Sequence, residues 1–205
     1  LYNAPTGHPV YVCDQFRGGL FRYLTTVYGV RTNIGTIFPS SGAGFWVRQF
    51  SGPLNVLWFG ATPNEADTWN ADNDSLAFQA AINEATKTNL YTYSTAAVPN
   101  NRGAAVYVPR GTYNINTSLC VTNDPAAAVA NKYFTMFGDG QSTVLMTAQS
   151  SAFRMLSVSQ MLRCSIKNLV FVGGDTTYAN TTDGCIGLNL TNVQSVELNG
   201  IDTVQ

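Results

Sequence analysis

Charged residues are scarce in this sequence. Aspartate, glutamate, lysine and arginine make up 11% of its 205 residues, and the formal net charge at pH 7 is -1, whereas about 25% charged residues is usual for globular proteins. Such a chain has no long-range attraction for a phosphate backbone, so we expect no nucleic-acid partner. Its polarity is uncharged instead, with 19 asparagines and 23 threonines.

Histidine occurs once, at His8. A single histidine excludes a Ser/His/Asp or Cys/His catalytic group and a multi-histidine metal site within these residues. We therefore expect no metal and no cofactor, and any chemistry would have to be carboxylate chemistry. The cysteines lack metal-site spacing and the density of a disulfide scaffold. We expect them to be buried thiols, at Cys13, Cys120, Cys164 and Cys185.

Long apolar runs are missing too. No stretch approaches the roughly 18 apolar residues of a membrane span, so we expect no membrane insertion. Hydrophobic residues at 45% can still close a core, which excludes disorder. At roughly 150 residues per domain, the length allows two domains at most.

Strand-like runs separated by Gly, Ser and Pro predict a small β-rich module at residues 10–54. The one convincing helix is predicted over about residues 74–87, where Asp74 or Ser75 can cap the free amides. Its buried face would carry Phe78, Ala81, Ile82 and Ala85, and its wet face Gln79, Asn83 and Glu84.

Short apolar strands recur after the helix and suggest a repeat. They are predicted at 104–113, 133–137, 143–146, 153–156, 166–172, 186–190 and 193–201. Ile166, Leu169, Phe171 and Gly173 recur as Val193, Val196, Leu198 and Gly200, an offset of about 27 residues that is typical of solenoids. Because β-sandwiches also show alternation, the periodicity alone leaves both a parallel β-helix and a sandwich open.

Three strings, in order, carry a family resemblance: Val-Leu-Trp-Phe-Gly-Ala at 56–61, Ala-Phe-Gln-Ala-Ala-Ile at 77–82 and Val-Tyr-Val-Pro-Arg-Gly-Thr-Tyr at 106–113. Together they resemble the opening of the pectate-lyase-like β-helix domain of bacteriophage tailspikes, in which a Phe-Gly-Ala strand precedes a capped helix. Phe-Gly-Asp-Gly-Gln-Ser-Thr-Val-Leu at 137–145 resembles the strand that usually comes next. Where the family often has Asp-Gly-x-x-Asp-Asp-Thr, residues 70–75 are Asn-Ala-Asp-Asn-Asp-Ser, which we interpret as loop variation that keeps the helix cap.

The resemblance implies an all-β protein in two parts. Residues 1–54 are similar to the small virion-proximal head of many tailspikes. Residues 55–205 would form the N-terminal cap and first rungs of a right-handed parallel β-helix, and we expect this solenoid to continue beyond residue 205. Phe59, Phe78 and Ile82 are placed to close its open end, which would otherwise expose an unpaired edge.

The resemblance also implies a function. It predicts a homotrimeric tailspike or receptor-binding protein of the phage virion, assembled in the host cytoplasm and docked through its head on other tail or baseplate proteins. The protein would attach to bacterial surface polysaccharide, and whether the full-length form also depolymerises it stays open. The alternatives are a secreted polysaccharide lyase or glycoside hydrolase, and a structural or adhesive virion protein without catalysis.

No active-site residue carries over, because none of the matched positions is catalytic in the family. Hydrolysis needs two carboxylates about 5 to 10 Å apart, and the repeated part offers Asp139, Asp175, Asp183, Glu197 and Asp202. Of these, Asp175, Asp183 and Glu197 lie on or between matched strands, and the repeat places Glu197 opposite Val170. Tyr178 and Trp69 are the candidate sugar platforms. With no convincing carboxylate pair, we expect any active site to lie outside residues 1–205.

Overall fold

The structure is a computed structural model that describes residues 8–25, 32–42, 44–63, 74–86, 105–122, 133–147, 154–173 and 186–204. Its first strands are β1 (Pro9–Val12), β2 (Gly19–Leu24), β3 (Ile37–Pro39) and β4 (Phe45–Gln49). They form an antiparallel sheet in the order β1-β2-β4-β3. One face of this sheet buries Phe21, Tyr23 and Trp46, since alternate side chains of a strand point to the same face. The β-rich character predicted for this part of the chain is confirmed.

Arg48 joins this first sheet to the segment that follows it. Its side chain is buried, with 3% of its surface exposed. The guanidinium donates hydrogen bonds of 2.7, 2.7 and 2.9 Å to the carbonyl oxygens of Arg17, Gly18 and Gly35. Its central carbon lies 4.6 Å from the centre of the Phe21 ring and 4.5 Å from that of Trp58. These partners compensate a burial that would otherwise be costly for a charge.

The second part of the chain is a coil of parallel strands. They are β5 (Leu54–Asn55), β6 (Val106–Val108), β7 (Gly111–Asn114), β8 (Leu119–Thr122), β9 (Tyr133–Gly138), β10 (Thr143–Met146), β11 (Arg154–Ser159), β12 (Arg163–Val172), β13 (Ile186–Thr191) and β14 (Ser195–Val204). Every pairing among these described strands is parallel. The fold is therefore a parallel β-helix, and the sandwich left open by the periodicity is wrong.

The described strands line three faces of the coil. Within the coil, the first of three parallel sheets stacks β5, β6, β9 and the first halves of β12 and β14. The second sheet stacks β7, β10 and the second halves of β12 and β14. The third sheet stacks β8, β11 and β13. Successive strands along the chain thus move from face to face, and each face gains one strand per rung.

The register predicted from the repeat is wrong. Ile166 pairs with Leu198 and not with Val193, and Glu197 lies opposite Ser165, while Val170 faces Asp202. Alternation repeats every two residues, so it is compatible with many offsets and cannot choose among them.

The bends between sheets set the register instead. Asn168 (φ 55°) and Gly200 (φ 62°) take left-handed backbone conformations at equivalent positions of β12 and β14. Gln160 (φ 58°) and Asn192 (φ 54°) do the same where the third sheet ends. Asparagine and glycine tolerate this conformation better than most residues, so their spacing marks the true repeat.

One α-helix is present among the described residues, α1 (Ser75–Thr86), as predicted. Phe78 and Ile82 are fully buried, and so is Phe59 of the preceding segment, which confirms their role in closing the end. Glu84, predicted to be wet, is only 4% exposed, because at 100° per residue it lies beside the buried Ala77 and Ala81 at the margin of the buried face. Helical periodicity predicted the helix correctly, but its buried face is wider than predicted.

The edges of the sheets are closed at this end. The β5 strand pairs with β6. Asp74 accepts hydrogen bonds of 2.9 Å from the backbone N–H groups of Thr62 and Asn114. Ser75 accepts bonds of 2.9 and 3.0 Å from those of Asn116 and Thr117. The Gln79 amide pairs with the backbone of Cys120. These contacts satisfy edge groups of all three sheets.

Two local expectations are corrected. The segment Val56–Phe59 is a 3-10 helix rather than a strand, because the side chain of Asn55 accepts a 2.9 Å hydrogen bond from the N–H of Leu57 and Gly60 (φ 106°) ends the turn. The short strand β8 was not predicted from the sequence, since only Leu119 and Val121 mark its inward face.

The cysteines are not uniformly buried. Cys164 is buried, but Cys13 and Cys120 are exposed, and Cys185 lies outside the described residues. Strand parity explains the difference, since Cys120 points outward between the inward Leu119 and Val121. Burial raises the pKa of the Cys164 thiol to about 11, so this thiol is unreactive at neutral pH.

Candidate functional site

Of the predicted site residues, only Glu197 lies within the described part of the chain. Trp69, Asp175, Tyr178 and Asp183 fall outside the described residues. Their proposed roles as carboxylates and sugar platforms therefore stay predictions.

Glu197 is held in place by two neighbours on β12. One carboxylate oxygen lies 2.7 Å from Nζ of Lys167, and the other accepts a 2.9 Å hydrogen bond from the hydroxyl of Ser165. These contacts, led by the bond from Lys167, lower the pKa of Glu197 from its ordinary value. A carboxylate held ionised in this way is poorly suited to be the general acid of a glycosidase, which needs a raised pKa.

An aromatic column stands beside this ion pair. Tyr107 on β6, Phe137 on β9 and Lys167 on β12 are directly in register, so their side chains project from the same outer face. The rings of Tyr107 and Phe137 have centres 5.3 Å apart and planes tilted by 32°, and both are half-buried. Stacked rings on a flat sheet form a rigid apolar surface.

Asp139 fixes the orientation of the Tyr107 ring. Its two carboxylate oxygens share the proton of the Tyr107 hydroxyl, at 3.0 and 2.9 Å, and one of them accepts a 2.8 Å hydrogen bond from the backbone N–H of Arg110. Partial burial, and then the neighbouring carboxylate, raise the pKa of Tyr107. Asp139 therefore positions the ring, and its carboxylate is bound to the Tyr107 hydroxyl and the Arg110 N–H.

A second column runs parallel to the first, four residues further from the bend. It consists of the cross-strand neighbours Tyr133, Arg163 and Ser195, and Tyr133 is 39% exposed. Thr135, Ser165 and Glu197 lie between the two columns. We call this surface the lateral face and define it by Tyr107, Tyr133, Phe137, Arg163, Ser165, Lys167 and Glu197.

The lateral face combines flat rings with hydrogen-bonding side chains on a rigid sheet. A ring can pack on the CH groups of a sugar while hydroxyl, carboxylate and ammonium groups bond to its hydroxyls, the mixture found in many ligand sites. The lateral face is less well suited to catalysis, because the carboxylates of Asp139 and Glu197 are held by the Arg110 N–H and by Lys167. No group of three or more His, Cys, Asp or Glu in the described residues could hold a metal.

Sequence reasoning missed most of this face. The signal was present as outward aromatic residues at alternate positions, with Tyr107 in one strand and Tyr133 and Phe137 in the next. Most of the predicted strands were right, but the predicted register placed Glu197 opposite Val170, whereas it lies opposite Ser165. Aligning the strands by their bends would have brought Lys167 beside Phe137.

In the part of the chain that the structure describes, no helix is both long enough and apolar enough to cross a membrane. The last described rung differs from the capped first rung. Val196 and Leu198 of β14 are 41% and 49% exposed, although their partners Cys164 and Ile166 are buried. Inward positions of the last described rung are thus uncovered.

This architecture matches a known family model and known structures. A family model described as Rhamnogalacturonase A/epimerase, pectate lyase-like, matches residues 54–172. No curated protein matches the chain in a sequence comparison. The enzymatically active domain of tailspike protein 2 from bacteriophage CBA120 superposes with a TM-score of 0.60 at 14% identity, over 92% of this chain and 24% of that one.

A bacterial protein has the same fold. The glycan biofilm modifying enzyme WceF of Pantoea stewartii, whose parallel β-helix is tailspike-like, superposes with a TM-score of 0.61 at 17% identity, over 92% of this chain and 25% of that one. The chain thus spans about a quarter of the length of both structures. At these identities the likeness shows a shared fold.

Proposed function

The chain belongs to the Rhamnogalacturonase A/epimerase, pectate lyase-like family, and we propose that the full-length protein is a tailspike-type receptor-binding component of a phage virion. In this role it attaches to bacterial surface polysaccharide. The observation that carries the proposal is the lateral face, where stacked rings lie beside the hydroxyl, ammonium and carboxylate groups of Ser165, Lys167 and Glu197. The order of an antiparallel sheet followed by a capped β-helix supports the virion context.

Attachment would use the rings as a platform. The hydroxyl bond to Asp139 and the contact with Phe137 keep Tyr107 in one orientation. A pre-oriented ring loses little conformational freedom when it binds, which favours binding of a flexible polymer. Similar faces on several subunits would add avidity along one polysaccharide.

The proposal also covers the assembly of the protein. We propose a homotrimer whose head, residues 1–54, docks on tail or baseplate proteins, with β-helix rungs continuing beyond residue 205. The exposed pair Tyr11 and Leu20, neighbours across β1 and β2, supports a contact surface on the head. The uncovered Val196 and Leu198 support a further rung, because a strand stacked on β14 would bury them.

The test is a binding measurement with the full-length protein and polysaccharide purified from the host surface. We expect Phe137→Ala to weaken binding while Tyr11→Ala, which removes an exposed ring from the head, leaves it unchanged. Equal binding by wild type and Phe137→Ala would contradict the use of the lateral face. Mass spectrometry of purified virions tests the location, and light scattering of the intact protein tests the trimer.

Two alternatives predict different results. A free secreted lyase or hydrolase would be absent from purified virions, would carry an export signal and would be active as a monomer. A structural virion protein would be present in virions but would not bind host polysaccharide. Mass spectrometry of purified virions and the polysaccharide-binding measurement therefore separate all three functions.

A further inference from the structure

Asn199 differs from the other asparagines of the chain in the residue that follows it. Of the 19 asparagines in the sequence, it is the one that precedes a glycine, Gly200. It is exposed and lies just before the bend at which β14 passes from the first sheet of the coil to the second. Asparagine is among the thermolabile residues of proteins, because the backbone nitrogen of the next residue can attack its side-chain amide.

The backbone at Gly200 leaves this attack unhindered. Gly200 has a left-handed conformation (φ 62°), and without a Cβ it has no side chain of its own to shield its nitrogen. The ladder between β12 and β14 stops at Asn199 and resumes at Ile201. The peptide bond between Asn199 and Gly200 therefore borders an interruption of the sheet, where less pairing with β12 holds it.

Asn168 provides a comparison one rung earlier. It lies at the bend of β12, at the position equivalent to Gly200, and is also exposed and left-handed (φ 55°). The residue after it is Leu169, whose side chain is fully buried. A buried, branched side chain fixes the backbone and crowds the approach to its nitrogen. The two asparagines thus differ in the residue that would have to attack.

We propose that Asn199 is a site of spontaneous deamidation. The backbone nitrogen of Gly200 forms a bond to Cγ of Asn199 and closes a succinimide ring, while the Cγ–Nδ2 bond breaks and the amide proton leaves with the nitrogen as ammonia. Water then opens the ring at one of its two carbonyl groups. Opening at Cγ gives aspartate, and opening at the main-chain carbonyl gives isoaspartate, in which the chain continues through Cγ.

Both products change the coil at this point. Lys167 is the direct cross-strand neighbour of Asn199, so a carboxylate at position 199 competes with Glu197 for the ammonium group that it now holds at 2.7 Å. Isoaspartate also adds one carbon atom to the main chain immediately before the bend. That addition shifts Ile201 away from Leu169, its partner in β12. The modification therefore loosens this rung as the protein ages.

The experiment follows the full-length protein by peptide mass spectrometry during incubation at neutral and alkaline pH. We expect position 199 to gain the mass difference between OH and NH2, with isoaspartate resolved from aspartate by its resistance to cleavage by an aspartate-specific protease. The rate should rise with pH, because the attacking nitrogen must lose its proton. It should exceed the rate at Asn168 by about tenfold or more, which corresponds to about 1.4 kcal/mol in the barrier.

Variants assign the reaction to this pair of residues. Asn199→Gln should abolish the mass gain, since closing a larger ring is slower. Gly200→Asn, which installs at this bend the residue type found at the bend of β12, should slow it. Asn168→Gln is the matched control and should leave the rate at Asn199 unchanged. Equal melting temperatures of freshly prepared Asn199→Gln and wild type would show that the fold is intact.

The chain unfolded in urea provides the reference rate. If Asn199 deamidates in urea but keeps its mass in the folded protein, the bend protects the peptide bond and the proposal is wrong. Equal rates at Asn168 and Asn199 in the folded protein would overturn it as well. A melting temperature that falls during incubation in wild type, but not in Asn199→Gln, supports the loosening of the rung.

Discussion

Gln79 pairs with the backbone of Cys120 as a neighbouring strand would. Its side-chain oxygen accepts a 2.8 Å hydrogen bond from the N–H of Cys120, and its side-chain nitrogen donates one of 2.9 Å to the carbonyl oxygen of the same residue. The β8 strand is the first of its sheet, so the amide of a helix residue takes the place of a missing strand. The glutamine in the helix motif has a structural role for this reason.

Replacing Gln79 by alanine should therefore lower stability. We expect a loss of about 1 kcal/mol, the usual net value of a hydrogen bond, because water can partly replace the amide at this half-exposed edge. Denaturant unfolding measures the change, with Leu76→Ala on the exposed side of the same helix as control. An unchanged midpoint for Gln79→Ala would mean that solvent satisfies the edge equally well.

Replacing Ile82 should destabilise the protein far more than replacing Gln79. Its side chain is fully buried under the helix, so Ile82→Ala removes packed methyl groups and leaves a cavity at a cost of about 2 to 5 kcal/mol. Asn83→Ala, one residue further on the exposed side, should cost little. Equal melting temperatures for the two variants would contradict the orientation of the helix.

Position 48 should not accept lysine in place of arginine. Arg48→Lys keeps the charge but cannot reach three carbonyl oxygens and two rings together. We expect it to lower the free energy of unfolding by about 2 to 3 kcal/mol, since buried acceptors lose their donors. Arg22→Lys, at an exposed position of β2, is the control. Similar stability for both variants would show that charge alone is sufficient.

The pKa of Glu197 reports its ion pair directly. Because the folded state lowers this pKa, any stability from the pair is present above the ordinary glutamate pKa and is lost as pH falls through the lowered value. In an NMR titration, Lys167→Met should raise the pKa of Glu197, and Ser165→Ala should raise it less. A titration unaffected by Lys167→Met would mean that the two side chains are separated in solution.

The segment itself should not cleave polysaccharide. Asp139 and Glu197 are engaged in structural contacts, and neither is placed as a free acid. We expect neither reducing ends nor unsaturated uronate when residues 1–205 are incubated with host capsule or lipopolysaccharide. Product formation that is lost on replacing Asp175, Asp183 or Glu197 would instead place the active site within this chain.

The fold could be predicted further than the site. Alternating apolar residues and the capped Ala-Phe-Gln-Ala-Ala-Ile helix are local signals, and they gave most of the strands and the helix. The β-helix class came from the family resemblance of the ordered strings. Register is a long-range property, set here by left-handed residues such as Asn168 and Gly200 rather than by alternation. The lateral face depends on that register, because Phe137 and Lys167 become neighbours only when β9 and β12 are correctly aligned.

Closure at one end gives the coil a direction. Val106 pairs with Met136, and Met136 with Ile166, so each strand needs a partner formed about 30 residues earlier. Order should then spread from the capped rung outward, in the sequence in which the chain leaves the ribosome. In a segment limited to residues 1–205, amide hydrogen exchange should be slowest in β6 and β9 and fastest in β14, so that the lifetime of each rung reflects its distance from the helix.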